Sequence, residues 1–492
     1  MEKILNFIGG EWRPAATGRF ARDLNPANTD EVLAEAVLSD VSDLHAAVAA
    51  AKAAYPAWKN TPAPKRGEVL FRAVEIMRRR HEELARVLTR EEGKIFSEAK
   101  GEVQRAINIL EYCAGEGRRL YGDAVQSELP LNFAWTQREP YGVAAIVTPW
   151  NFPVAIPVWK LAPALVTGNT VVFKPASLTP WTAKIVTEIF DEAGIPKGVF
   201  NLILGSGAMV GDHLVTHPDV KVVSFTGSTE IGSRLYEQGA KHHKKIQCEM
   251  GGKNAVVVFA DADLDLAVAG TVGGAFGSTG QRCTATSRAI VHADLFEKFV
   301  EKMCAAAEKY VVGDGLNAAT HMGPCVDASQ MKTVTDGIAR ALADGAKLRC
   351  GGKRLETGAH ARGFFLQPTL FTNVPPDSFL AQEELFGPVL AVLPFKTYDE
   401  GLALANNSAF GLTSSAYTND VGTMMRFCAD IETGITHINS PTIGGEAHLP
   451  FGGMKATGVG EREVGKTAIE FYSQWKTVYV DYTGAKRTSN VY

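Results

Sequence analysis

A chain of 492 residues has room for about three folding units, and 46% hydrophobic with 21% charged residues argues against a largely disordered protein. Fifty basic residues stand against 54 acidic ones, a net charge of −4 that lacks the basic excess of a dedicated nucleic-acid binder. Seven cysteines, an odd number with no C-x-x-C pair, argue against a disulfide framework or a structural zinc site.

The opening MEKILNFIGGEW carries an acid at position 2 and an early Gly-Gly turn, unlike a secretory signal. It predicts a short strand or two near Phe7 and Trp12. Three helical patterns follow, over residues 41–58, 65–93 and 102–118. The texture changes at Tyr141. Residues 141–173 carry one charge, Lys160, but also Pro149, Pro153, Pro157 and Pro163. A membrane-spanning helix of ~20 residues does not hold so many breakers. The stretch reads as buried strand, loop and short helix, and the protein is expected to be soluble, cytoplasmic and without a membrane partner.

Short apolar runs at 143–147, 170–174, 199–204, 220–225 and 254–259 predict strands. Helical patterns at 180–193 and 230–239 fall between them. Strands alternating with helices indicate an α/β fold with a mostly parallel, doubly wound sheet buried on both faces. A second α/β stretch runs from 252 to about 450, with a small-residue helix at 264–276 and strands near 289–291 and 389–394. Residues 468–482 predict an exposed or subunit-joining strand, for which 122–139 is a candidate partner.

Several motifs carry chemistry. Gly205-Ser206-Gly207-Ala208-Met209-Val210-Gly211 follows a strand and approximates G-x-G-x-x-G with one extra residue; it is either a dinucleotide turn or a plain strand-to-helix turn. In Phe225-Thr226-Gly227-Ser228-Thr229, Ser228 and Thr229 fall at a helix N-terminus, which suits either an anion or an ordinary N-cap. Lys174 ends a buried strand and needs a partner, either a cofactor hydroxyl or phosphate, or a core carboxylate. Cys283 stands just past the small-residue helix beside Arg282, a setting consistent with a reactive thiol. Glu249 precedes two glycines. A Cys/Glu pair can divide labour, the cysteine attacking and the glutamate activating water.

In order along the chain, Pro149-Trp150-Asn151-Phe152-Pro153, Lys174, the Phe225 to Gly232 turn, Glu249-Met250-Gly251-Gly252-Lys253, Gly280-Gln281-Arg282-Cys283, Glu383-Glu384-Leu385-Phe386-Gly387-Pro388 and Pro450-Phe451-Gly452-Gly453 resemble the motifs of the NAD(P)-dependent aldehyde dehydrogenase superfamily. The resemblance covers nearly the whole chain. It implies a Rossmann-like cofactor-binding domain over 1–121 and 141–252, an α/β catalytic domain over 253–450, and a small β oligomerisation element from 122–140 and 467–492. It implies a homodimer or homotetramer. It also implies that Cys283 attacks an aldehyde, that the Asn151 amide and the Cys283 backbone N–H hold the oxyanion, and that Glu249 activates water to hydrolyse the thioacyl-enzyme. Such oxyanion donors are worth about 3 kcal/mol each. Trp150, Lys174, Gly207, Gly227, Ser228, Glu384 and Phe386 fall at cofactor positions. The presence of Glu249 favours hydrolysis over transfer to coenzyme A.

Ser177 stands where many NAD-preferring members carry a glutamate that would repel a 2′-phosphate. This predicts NADP use with tolerance of NAD. Arg282 suggests a semialdehyde bearing a carboxylate; the alternative is an internal ion pair. Phe152, Trp159 and Phe451 are the apolar wall candidates, with Trp159 equally readable as core. The segments around Arg282 and Asn439-Ser440-Pro441-Thr442 are similar to those of α-ketoglutaric and aminoadipic semialdehyde dehydrogenases, and Glu461, an extra residue after Gly460, favours the former. A broad-range oxidiser, a succinic or aminoadipic semialdehyde dehydrogenase and a non-catalytic relative are the alternatives. Lys241-His242-His243-Lys244-Lys245 reads as a solvated basic surface, and no catalytic metal is expected.

Overall fold

The computed structural model describes residues 1–207 and 211–484. Two large sheets dominate it. The first has eight strands in the order Gly458–Val459, Lys245–Glu249, Val220–Thr226, Val143–Val147, Thr170–Lys174, Phe200–Leu202, Asn6–Ile8 and Glu11–Arg13. The five from Lys245–Glu249 to Phe200–Leu202 are parallel. Antiparallel strands close both edges. The central strands VAAIV and TVVFK are buried at every position, because helices cover both faces. From Val143–Val147 the chain builds outward to Phe200–Leu202, then returns to the other side of Val143–Val147 with Val220–Thr226. A crevice opens at the carboxyl ends of strands where such an order reverses.

The second sheet runs Lys347–Cys350, Thr369–Thr372, Val389–Phe395, Thr286–His292, Asn254–Val258, Thr413–Tyr417, Ile435–Ile438. It is parallel apart from its first pair. The small-residue helix Leu264–Phe276 connects Asn254–Val258 to Thr286–His292. A third, three-stranded sheet pairs Ser473–Asp481 with Asn132–Pro140 over nine residues, and Asn132–Pro140 with Ala124–Gln126. No helix among the described residues is long and apolar enough to cross a membrane.

The expected single helical pattern at 65–93 is two helices, Ala63–Arg79 and His81–Glu92, which meet at Arg80 (φ −93°, ψ 11°). No proline or glycine marks that break, so the periodicity runs through it. The N-terminal region holds more sheet than expected. Phe20–Asn25 and Asn28–Val37 form a hairpin that also pairs with Glu2–Ile4, from polar sequences poor in β-branched residues. The expected strand at 468–482 begins as the helix Gly465–Phe471. In the basic run, Lys241 to His243 are exposed, whereas Lys244 turns inward to donate to the Val220 carbonyl at 2.6 Å, and burial pulls its pKa down to about 8. Residues 208–210 of the glycine turn and 485–492 of the proposed oligomerisation element lie outside the described residues.

Candidate active site

Cys283 owes its position to an unusual turn. After Phe276 the backbone passes through Ser278 (φ 47°), Thr279 (φ 59°) and Gly280 (φ 65°). A left-handed non-glycine residue costs about 1–2 kcal/mol, and a β-branched threonine is the least suited. The turn is held from outside. The Thr279 hydroxyl donates to Gly323 O at 3.0 Å, Glu98 accepts from the Ser278 N–H at 2.9 Å, and Gln281 Oε1 accepts from the Val326 N–H at 3.0 Å. Gly280 admits no side chain, since a Cβ there would lie 2.2 Å from Gly387 O.

Asn151 follows the Val143–Val147 strand and is buried. Its Nδ2 donates to Gln281 O at 3.0 Å, which ties it to the cysteine turn; the amide carries a second proton for a ligand. The Asn151 carbonyl accepts from Lys94 Nζ at 2.6 Å, and the same ammonium pairs with Glu102 at 2.6 Å. The other Glu102 oxygen accepts from the Val154 and Ala155 N–H groups at 2.8 and 3.1 Å. Those amides open the helix Ala155–Thr167, so one buried ion pair both caps a helix and fixes Asn151.

Two cavities meet at Cys283. One, of about 220 Å³, lies at the strand-order reversal, between Trp150 and the Gly227-Ser228 turn, with Glu384 and Phe386 opposite. The other, of about 380 Å³, is walled by Phe152, Trp159, Phe451, Arg105 and Arg282. Their linings share only Ile156 and Cys283. The half-buried Cys283 thiol is pushed up to about 12 by burial, then by Glu384, Glu249 and Glu463; Arg105 opposes them.

Glu249 ends the Lys245–Glu249 strand and lies on the wall of neither cavity. Its carboxylate sits against Gly452, where a Cβ would come within 2.4 Å of Oε1. Its Oε2 is buried with no hydrogen bond among the described residues. Burial and then the Glu463 carboxylate hold its pKa well above the ordinary range. Glu463 pairs with the buried Lys160, which also donates to Ser224 Oγ at 2.8 Å.

The first cavity fits a nicotinamide nucleotide. Gly251 is a cradle that a side chain would fill, its Cβ falling 2.6 Å from Glu384 Oε2. Glu384 Oε1 accepts from the Gly252 N–H at 3.1 Å, and burial raises its pKa to about 7. Trp150 and Phe386 meet edge to face at 5.4 Å and give a flat ligand apolar walls. Gly227 has no room for a side chain against Phe225, 2.5 Å from its Cβ position, and Ser228 caps the helix Thr229–Lys241. That cap leaves further first-turn N–H groups to face an anion. Lys174 is buried and donates to Pro175 O at 2.8 Å; burial lowers its pKa to about 8. No carboxylate lies within ion-pair distance of it among the described residues, so the core-carboxylate alternative does not hold. The Ser177 hydroxyl donates to Gly205 O at 3.0 Å. Gly207 is exposed beside residues outside the description.

Arg282 lines the second cavity, but its Nη2 donates to Glu98 at 2.7 Å and its Nε to Ser278 Oγ at 3.0 Å. The guanidinium expected to face a substrate carboxylate is answered from within the protein. Trp159 and Phe451 lie 5.2 Å apart along one wall, their rings tilted by 36°. Sequence reasoning missed Lys94 and Glu102, and it missed Gln330, whose amide holds the Leu385 and Phe386 carbonyls at 3.0 and 2.8 Å. It also missed Arg105. A signal existed for the last: an arginine one residue before the buried Ala106, on a helix rich in buried alanine, valine and isoleucine.

Residues 12–478 match the aldehyde dehydrogenase family. Among curated relatives, the α-ketoglutaric semialdehyde dehydrogenase of Bacillus subtilis is 43% identical, covering 97% of this chain and 98% of that protein. The α-ketoglutarate semialdehyde dehydrogenase of Haloferax volcanii is 44% identical, covering 97% and 99%. Among solved structures, betaine aldehyde dehydrogenase of Staphylococcus aureus in complex with NAD+ superimposes with a TM-score of 0.96 at 34% identity, covering 98% of this chain and 95% of that one.

Proposed function

The chain belongs to the aldehyde dehydrogenase family, and we propose that this NAD(P)-dependent enzyme oxidises a carboxylated semialdehyde, α-ketoglutaric semialdehyde (2,5-dioxopentanoate) foremost, to the free acid. The observation that carries the reading is the position of Cys283 on the wall of two otherwise separate cavities. A nucleophile there meets an aldehyde from one side and a hydride acceptor from the other. The two relatives named for this substrate, matched over almost their full length, support the substrate class.

Cys283 gives up its thiol proton to water, the Sγ thiolate attacks the aldehyde carbon, and the carbonyl oxygen takes the negative charge. The second Asn151 amide proton and the Cys283 backbone N–H receive that oxyanion. Asn151 is oriented by Gln281 and Lys94 before substrate arrives, so no reorganisation is needed in the transition state. A bound nicotinamide would supply the hydride acceptor, and loss of hydride would turn the thiohemiacetal carbon of the Cys283 adduct into a thioester carbonyl. Trp150 and Phe386 would flank its ring, Glu384 would meet its ribose, and the Gly227-Ser228 turn would meet its phosphates. Glu249 then takes a proton from the water that attacks the thioester carbonyl, and the acid departs with Cys283 restored. Its carboxylate must first turn from Gly452 toward Cys283. A raised pKa makes it a strong base once ionised.

Ser177 leaves the ribose-facing turn without a carboxylate, which supports NADP with tolerance of NAD. The Ser473–Asp481 strand supports assembly into a homo-oligomer. It is a nine-residue sheet edge bearing the exposed Trp475, Tyr479 and Val480, and such edges invite pairing with another chain.

The test is a comparison of kcat/KM for 2,5-dioxopentanoate, succinic semialdehyde, aminoadipic semialdehyde and pentanal, each with NAD+ and NADP+. We expect 2,5-dioxopentanoate to lead, NADP+ to serve at least as well as NAD+, and Cys283→Ala to abolish oxidation while the protein stays folded. Equal or better rates with pentanal would remove the carboxylated substrate class.

A further inference from the structure

We infer that Arg105, on the helix Phe96–Glu116, is the residue that recognises the substrate's distal carboxylate. The assignment rests on the reading of the site as a semialdehyde dehydrogenase and deepens it.

The cavity that ends on Cys283 holds three cations, Lys94, Arg105 and Arg282, against two carboxylates, Glu98 and Glu102. Two of the cations are spent. Lys94 pairs with Glu102 at 2.6 Å and Arg282 with Glu98 at 2.7 Å. Arg105 has no carboxylate within ion-pair distance among the described residues. The one carboxylate whose charge reaches it, Glu102, is committed to Lys94 and to the Val154 and Ala155 N–H groups. Glu92 also stands 3.9 Å from Lys94 but off the cavity wall, so Arg105 is the one lining cation without a counter-ion among the described residues, and a half-buried charge without a counter-ion is costly in a free protein. An anionic ligand removes that cost.

Arg105 is also held in place. Its Nη1 donates to Gly445 O at 2.5 Å, and its guanidinium carbon lies 5.5 Å from the Trp159 ring and 5.9 Å from the Phe451 ring. A guanidinium has five N–H donors; the Gly445 bond uses one and leaves enough for a bidentate carboxylate contact. The two aromatic walls position a group with no flexible search, so little entropy is lost when the anion binds. The proximity of Arg105 to the nucleophile shows in its opposition to the carboxylates that raise the Cys283 thiol. A short chain with an aldehyde at one end and a carboxylate at the other can span from Cys283 to Arg105 within one cavity.

The test reads the selectivity ratio, kcat/KM for 2,5-dioxopentanoate over kcat/KM for pentanal, which has the same carbon count and no carboxylate. Arg105→Gln keeps a donor for Gly445 O and removes the charge; the ratio is expected to fall about 30-fold, through KM rather than kcat. Arg105→Lys restores a cation and should recover at least a third of the wild-type ratio. A wild-type ratio in Arg105→Gln overturns the assignment, as does an equal loss in the Lys and Gln variants. Should Arg105→Gln not fold, the Lys variant set against Arg105→Met decides the question by the same ratio. A wild-type enzyme that does not prefer 2,5-dioxopentanoate removes the functional reading and the assignment together; a wild-type preference that survives the loss of Arg105 removes only the assignment.

Discussion

Cys283 is caught between access and reactivity. It must be reached from two cavities, yet burial and three carboxylates keep its proton on, with the thiol pushed up to about 12. Of the three, Glu249 and Glu463 are themselves held above the ordinary carboxylate range. Glu384, at about 7, is ionised in mildly alkaline solution. The thiol is therefore a weak nucleophile in the free enzyme, and its reactivity should climb with pH because the thiolate fraction climbs. We predict that iodoacetamide labelling of the Cys283 peptide rises steadily from pH 7 to pH 10 without a plateau. Glu384→Gln removes a negative charge that opposes the thiolate, so labelling at pH 8 should quicken about threefold. A plateau below pH 9, or slower labelling in the variant, would contradict this account. The residue types were legible in the sequence. Cys283, Glu249 and Asn151 stand in short local motifs. The pairing of Arg282 with Glu98 was not legible, because Glu98 lies 184 residues away on the helix Phe96–Glu116 and nothing in either segment names the other.

Among the elements, the parallel strands were the easiest to read. VAAIV and TVVFK are short, β-branched and uninterrupted, and their observed limits are those expected. The hairpin Phe20–Asn25 and Asn28–Val37 was hidden because its first strand inverts the usual pattern, with Asp23 and Asn25 buried and Leu24 exposed. The left-handed turn before Cys283 was half legible: Gly280 announces a positive φ, but Ser278 and Thr279 do not, and they are held there by Glu98 and Gly323. The Ser473–Asp481 strand carries a prediction of its own. Its sheet has only three strands, and Phe133, Trp475, Tyr479 and Val480 are exposed on it. A sheet so small gains independent stability by packing against something else. Substituting Tyr479→Asp together with Phe133→Asp should leave a folded chain whose mass in solution, by light scattering, falls below that of the wild type. Identical masses for wild type and variant would contradict the assignment of this sheet edge to assembly.

On the scale of the whole molecule, the site draws its residues from both large sheets. The strand-order reversal of the first supplies Trp150, Asn151 and the Gly227-Ser228 turn; the second supplies Cys283, Glu384 and Phe386. The strand Gly458–Val459 returns to the first sheet beside Lys245–Glu249, and so brings Gly452, Gly458 and Glu463 around Glu249. Local sequence patterns predict each sheet but not their meeting, because the contacts between them join residues far apart in the chain. The proposed chemistry divides labour across these two sheets, with Cys283 forming the acyl-enzyme and Glu249 resolving it. A Glu249→Gln enzyme mixed with 2,5-dioxopentanoate and NADP+ isolates the first half. The account predicts a burst of about one NADPH per site, no sustained turnover, and a denatured protein heavier by one acyl group mapped to the Cys283 peptide. Sustained wild-type turnover, or a burst with Cys283 unmodified, would contradict it.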